Sequence, residues 1–170
     1  MIDIHTRSIE DIRQYSAGEA VMLSGSIVTI RDRALANIEA GGTFPGDITG
    51  AVVYHAGPTN PNEEGMRACG PTTSSRMDKY LPMLFENNIF VTIGKGRRNT
   101  DVHKKYGAVY LAALGGCGAL YGSRIKNIRT LLFGELGSEA VYAMDIENYP
   151  LILAIDSKGN SIYKNRSYNE

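Results

Sequence analysis

Four short apolar runs constrain this chain most: Ala20–Ile30, Ile48–His55, Ile89–Ile93 and Ala108–Leu114. Each is about a strand in length and rich in β-branched residues, and each stops at turn-forming or charged residues, so all four read as buried strands. The residues just past each run matter as much as the run itself. The first, irregular at Gly25, meets Arg31-Asp32, and the second enters a Gly-Pro-Thr-Asn-Pro-Asn loop that suits neither a helix nor a central strand. The third runs into Gly94-Lys95-Gly96 and the fourth into Gly115-Gly116-Cys117-Gly118. In α/β folds, loops at strand ends facing a crevice are where ligands sit.

Helical signals fall between the runs. Arg33–Ala40 reads as a short helix stopped by Gly41-Gly42. From Thr73 onward, Met77, Tyr80, Leu81, Leu84 and Phe85 recur at helical spacing, and Pro82 is expected to bend that helix. Thr130–Phe133, Ala140–Ile146 and Leu151–Asp156 add sheet signals, with Lys158-Gly159-Asn160 as a closing turn. His5–Ile12 is open between a helix start and a strand edge. The alternation gives an α/β class, and 170 residues suit one domain, with 164–170 expected to fray.

Charge narrows the partners. Lys+Arg and Asp+Glu stand at 18 each, so no overall field draws the chain to nucleic acid or to an anionic membrane, and no long apolar span points to a transmembrane segment. Cys69 and Cys117, with no signal peptide, fit free thiols in a reducing, cytoplasmic setting.

Chemistry concentrates in Gly70-Pro71-Thr72-Thr73-Ser74-Ser75-Arg76-Met77-Asp78. Gly70 and Pro71 fix a turn, Thr72 or Thr73 can cap the next helix, and its first N–H groups would face an anion. Thr72 and Arg76, four apart, would share a helix face on which a guanidinium could fork onto a carboxylate. The plainer alternative is an ordinary helix start with a surface arginine. Lys95, between two glycines, is either a ligand contact or a solvated lysine on a hairpin turn, and its loop lacks the spacing of a phosphate loop. Arg31-Asp32 reads either as a second carboxylate clamp or as a surface ion pair. The Gly115–Gly122 run lacks the G-x-G-x-x-G spacing and favours a close-packed turn.

No metal site emerges from the count. Two cysteines are too few for an iron–sulfur cluster, and His5, His55 and His103 are scattered. A chain with carboxylate-binding groups but no evident strong base looks incomplete by itself.

The ordered elements LSGSIVTIRDRA (Leu23–Ala34), GPTTSSRMDKY (Gly70–Tyr80), IGKG (Ile93–Gly96), AVYLAALGG (Ala108–Gly116), GSEAVY (Gly137–Tyr142) and AIDSKGNS (Ala154–Ser161) carry a family resemblance. The chain resembles the C-terminal domain, or separate β subunit, of class I fumarate hydratases and L-tartrate dehydratases. The resemblance implies a swivelling β/β/α domain with mixed sheet layers and flanking helices. It further implies a 4Fe-4S cluster bound by a partner α subunit and acting there as Lewis acid, with an active site between the two chains. On these residues it places Arg31, Arg76 and Lys95 at the carboxylates or hydroxyl of a small dicarboxylate substrate. Thr73 joins these substrate contacts, and Thr72 takes part in proton transfer with help from a partner carboxylate.

The implied reaction is reversible hydration of fumarate to L-malate, or dehydration of tartrate to oxaloacetate. A non-catalytic dicarboxylate-binding module is the rival class. Two departures stand out, since the family usually reads T-G-R-D-x-A-H where this chain has Ile30 for the glycine and Leu35 for the histidine. Arg97 and Arg98, just past Lys95, either draw a dicarboxylate to the cleft or are merely solvated.

Overall fold

The computed structural model of the chain describes residues 1–163, so the expected frayed tail, 164–170, lies outside the described residues. Among them the strands are β1 (Ile2–His5), β2 (Ala20–Thr29), β3 (Val53–Tyr54), β4 (Val91–Gly94), β5 (Val109–Ala113), β6 (Ile125–Leu132) and β7 (Val141–Ile155). The α-helices are α1 (Asp32–Gly41), α2 (Leu81–Glu86), α3 (Thr100–Tyr106) and α4 (Gly118–Ser123). Strands β1 to β5 pair side by side in parallel. The long β7 runs antiparallel to both β5 and β2, so β2, β3, β4, β5 and β7 close into a ring, and β6 extends it beyond β7. The expected α/β class, a mixed sheet with flanking helices, is what the chain forms.

Period-two alternation explains how one sheet supports two cores. Ile27, Tyr54, Ile93, Val109 and Leu111 belong to one apolar cluster. Their neighbours Val28 and Val53 turn to a second, shared with Leu35 and Ile38 of α1 and with Leu81, Leu84 and Phe85 of α2. Ile30 and Leu35 are both fully buried in this second cluster. The position at which the resemblance implies a histidine is therefore filled by an apolar core side chain, Leu35.

Several expectations need correction. The strand expected over Ile48–His55 shrinks to Val53–Tyr54, because Gly46–Ile48 forms a 3₁₀ turn whose Ile48 fills the core. The helix expected from Thr73 is a 3₁₀ segment, Ser74–Tyr80, followed by α2. Pro82 is the second residue of α2, where an amide hydrogen would lack a helical partner anyway, so it starts a helix instead of bending one. The two strands expected over 140–156 are one, β7, continuous through Asn148 at φ 54° opposite the register shift between Leu23 and Gly25. The open segment resolves into β1 and a 3₁₀ run, Thr6–Gln14. Helix α3 has no counterpart among the sequence-based expectations, although Asn99 caps it by accepting from the Asp101 and Val102 amides and Gly107 ends it.

Candidate active site at the ends of the parallel strands

Because β2, β3 and β4 run the same way, the residues that leave them emerge at one end of the sheet. Arg31 comes just after β2, His55 to Pro58 after β3, and Lys95 after β4. The Gly70 segment is then laid across these ends by main-chain bonds. The Thr72 amide donates to the His55 carbonyl (2.7 Å), the Lys95 amide to the Thr72 carbonyl (3.3 Å) and the Ser74 amide to the Lys95 carbonyl (3.0 Å). Thr73 thereby bridges Lys95 as one more parallel rung. Gly94 makes this approach possible, since a Cβ there would collide with Ser74 Oγ and meet the Thr72 carbonyl at 3.5 Å.

Thr72, Thr73 and Lys95 are therefore brought together directly. Arg31 joins through β3: the Ile30 amide donates to the Tyr54 carbonyl (3.1 Å), and the Arg31 side chain packs on Gly57. Arg76 is joined less closely, through a 3.1 Å ion pair with Asp32, the residue beside Arg31. Its side chain is 52 % exposed, and in exposed settings such a pair stabilises by at most about 1 kcal/mol.

Two expectations from sequence spacing do not hold. Neither threonine caps by its side chain: Thr73 sits at the cap position without a side-chain bond, and Ser74's amide is taken by Lys95. Thr72 and Arg76 do not share an α-helical face either, because Thr72 precedes the segment and the segment is 3₁₀. Asp32, moreover, is Arg76's partner and not Arg31's; Arg31 Nη2 lies 3.3 Å from Glu139 Oε1. Of the Gly115–Gly122 run expected as a close-packed turn, only part is so: Gly118 and Gly122, in α4, lie against Gly70 and Arg67, whereas Gly115 and Gly116 are exposed with nothing within 4 Å of a Cβ.

Arg98 is the largest departure. It does not add charge to a cleft: its side chain is 0 % exposed, with Nε 2.8 Å from Asp78 Oδ1. Its Nη1 lies 2.9 Å from His55 Nε2 and 3.2 Å from Thr92 Oγ1. A guanidinium can only donate, so His55 Nε2 accepts, and Nδ1–H donates to the Ile30 carbonyl at 2.9 Å. Asp78 Oδ2 also accepts from the Asn99 amide (3.1 Å). This chain of bonds ties the ends of β2, β3 and β4 and the Gly70–Tyr80 element into one frame. Sequence reasoning missed it, since positions 30, 55, 78 and 98 share no spacing and His55 looks like any strand-end histidine.

Burial, and next the positive Arg98, push His55 down to about 3. Burial likewise pushes His103 down to about 4, against the opposing hydrogen bond to the Asn99 carbonyl. Both are neutral in the native state and charge more readily once unfolded. The unfolded chain thus binds more protons below the ordinary histidine pKa of about 6.5, and stability is complete above that pH and lost as pH falls. Urea midpoints are expected to drop between pH 7 and pH 5 by an amount equivalent to roughly 2 kcal/mol per histidine. Equal midpoints at those two pH values would show that neither ring is held neutral.

An α/β domain with hydroxyls and cations gathered at the carboxyl ends of its parallel strands belongs to the class that places chemistry there. Comparison with known proteins supplies the family: residues 1–166 match the model described as Fumarase C-terminus, and the chain belongs to that family. It is 37 % identical over 169 residues to a putative L(+)-tartrate dehydratase subunit beta of Methanocaldococcus jannaschii, covering 91 % of this chain and 87 % of that protein. It is 36 % identical over 165 residues to fumarate hydratase 2 of Leishmania major, covering 91 % of this chain but 29 % of that protein. To the anaerobic class I fumarate hydratase of Escherichia coli it is 32 % identical over 166 residues, covering 92 % of this chain and 30 % of that protein. The chain thus spans under a third of each fumarate hydratase and most of the tartrate dehydratase subunit.

Proposed function

We propose that this chain is the β subunit of an iron–sulfur-dependent hydro-lyase that hydrates fumarate reversibly to L-malate, its site completed by an α subunit. The observation that carries the reading is the convergence of Arg31, Thr72, Thr73 and Lys95 at one end of the parallel strands, with Arg76 tied in through Asp32. Removing a proton from the carbon next to a carboxylate shifts negative charge onto that carboxylate, and fixed cations there stabilise the transition state. Arg31, Arg76 and Lys95 supply that charge, Thr73 contributes a hydroxyl contact, and Thr72 holds or moves the proton. A threonine hydroxyl is a feeble base, so a carboxylate of the α subunit relays the proton onward within a closed, dry site.

Lys95, Thr73 and Arg76 are all exposed in this chain, which suits groups awaiting a second wall. No set of three or more His, Cys, Asp or Glu that could hold a metal occurs among the described residues. Burial pushes the Cys69 thiol up to about 12, which disfavours a thiolate ligand. The residues present do not fit a 4Fe-4S cluster, so in this reading the α subunit holds it. The two free cysteines suit a reducing cytoplasm, and no helix among the described residues is long and apolar enough to cross a membrane.

A second reading, dehydration of tartrate to oxaloacetate, is favoured by one observation, the 87 % coverage of the tartrate dehydratase subunit. Anaerobic co-expression with the α subunit, followed by assays on fumarate, malate and tartrate, decides between them. Hydration of fumarate by the pair and none by the chain alone is the expected result. Full activity from the isolated chain would remove the shared site, and dicarboxylate binding without turnover by the pair would favour the non-catalytic module.

A further inference from the structure

The charge partner of Arg31 comes from a turn more than a hundred residues away. Glu139 closes the 3₁₀ turn Gly134–Glu139, and its two carboxylate oxygens do different things. Oε1 lies 3.3 Å from Arg31 Nη2, and Oε2 accepts from the Arg33 amide at 3.3 Å. Helix α1 has Arg31 at its cap position without a side-chain cap bond. Glu139 supplies the missing acceptor from outside the helix and sets a negative charge at its positive end.

The other side of the guanidinium is shaped by Gly57. A Cβ built there would stand 2.8 Å from Arg31 Nη1 and 3.3 Å from Arg31 Cδ, and would collide with the Ser138 carbonyl. Arg31 therefore lies in a slot between Gly57 at the end of β3 and the Ser138-Glu139 turn. That turn is itself braced, because Tyr142 Oη donates to the Gly137 carbonyl (2.7 Å) and the Tyr142 amide to Thr29 Oγ1 (3.2 Å). Arg31 Nε, buried in the slot, has no hydrogen-bond partner among the described residues. The contacts thus anchor the far end of a side chain that would otherwise sample many rotamers.

We infer that Glu139 is a positioning residue: it holds the Arg31 guanidinium, against Gly57, in the one orientation that presents it to a substrate carboxylate at the strand ends. Glu139 itself touches no substrate. The inference rests on the proposed role of Arg31, and the test separates the two. In the co-expressed pair, Arg31→Ala, Glu139→Ala and the double variant are compared by kcat and KM. Glu139→Ala is expected to raise KM for the dicarboxylate about tenfold with a smaller change in kcat, and to cost less than twofold further in the Arg31→Ala background.

Gly57→Ala, whose Cβ would crowd both Nη1 and the Ser138 carbonyl beside Glu139, should raise KM similarly. If Glu139→Ala folds poorly, Glu139→Gln keeps an acceptor for the Arg33 amide while losing the charge, and should show the same KM shift to a smaller degree. A readout free of turnover is the Arg31 Nε–H signal in 15N NMR of the full chain: distinct and slowly exchanging as it stands, merged with the exposed arginines in Glu139→Ala. Equal losses from Glu139→Ala in both backgrounds would reduce Glu139 to a helix cap and overturn the positioning role. A silent Glu139→Ala beside an impaired Arg31→Ala would overturn it too, while a silent Arg31→Ala would overturn the site assignment beneath it.

Discussion

Thr72→Val, assayed in the α/β pair, is expected to lower kcat by about 10²–10⁴-fold, the range by which positioned proton transfer accelerates reactions. The expectation is sharp because the side chain can be altered without disturbing its support. Thr72 is held by main-chain bonds, its amide to His55 and its carbonyl from Lys95, and valine keeps the shape and the backbone preference. Thermal midpoint and substrate KM should therefore change little while turnover collapses. A loss confined to KM would make Thr72 a binding group, and near-normal kcat would take it out of the reaction.

Asp78→Ala is expected to produce the largest loss of stability, about 3 kcal/mol by urea unfolding, since it strands a buried guanidinium without its charge partner. Arg98 is lodged behind the strand ends, and its other contacts are neutral: His55 Nε2, Thr92 Oγ1 and the face of Tyr110, 5.5 Å away. None can replace a carboxylate. Asn99, whose side chain caps the entry to α3, loses the acceptor of its main-chain amide in the same variant. A change below about 1 kcal/mol would mean that water reaches Arg98 and relieves the charge, contrary to its complete burial. Because Asp78 shares the 3₁₀ segment Ser74–Tyr80 with Arg76, and Thr72 lies just before it, such a variant should also weaken catalysis without touching a reacting atom.

Arg98 and Lys95 show where the sequence was legible and where it was not. Both lie in one glycine-flanked basic loop, and composition treats them alike. Lys95 ends exposed on the strand-end surface and Arg98 ends buried, a division made by Asp78 and His55 from two other segments. Three of the four apolar runs, by contrast, were readable, because strand formation responds to side chains two apart and to the turn residues beside them, whereas the run over 48–55 kept only Val53–Tyr54 as strand. Gly25 as the point of irregularity and the turn at Lys158–Asn160 were readable for the same local reason. The helix expected from Thr73 failed because its apolar stripe fits a 3₁₀ segment running into α2 nearly as well as one bent helix, and only the rungs to Lys95 choose between them.

By itself, then, the order of residues determined that β2, β4 and β5 form, and that Arg31 and Lys95 come just after two of them. Periodicity, β-branching and turn chemistry act over a few neighbours, so they can be read from a string. Tertiary structure alone decided the partners: Asp32 with Arg76, Glu139 with Arg31, Asp78 and His55 with Arg98. Ion pairs and hydrogen bonds form between groups a few ångströms apart in space, and closing the sheet through β7 is what brings residues a hundred positions apart to that distance.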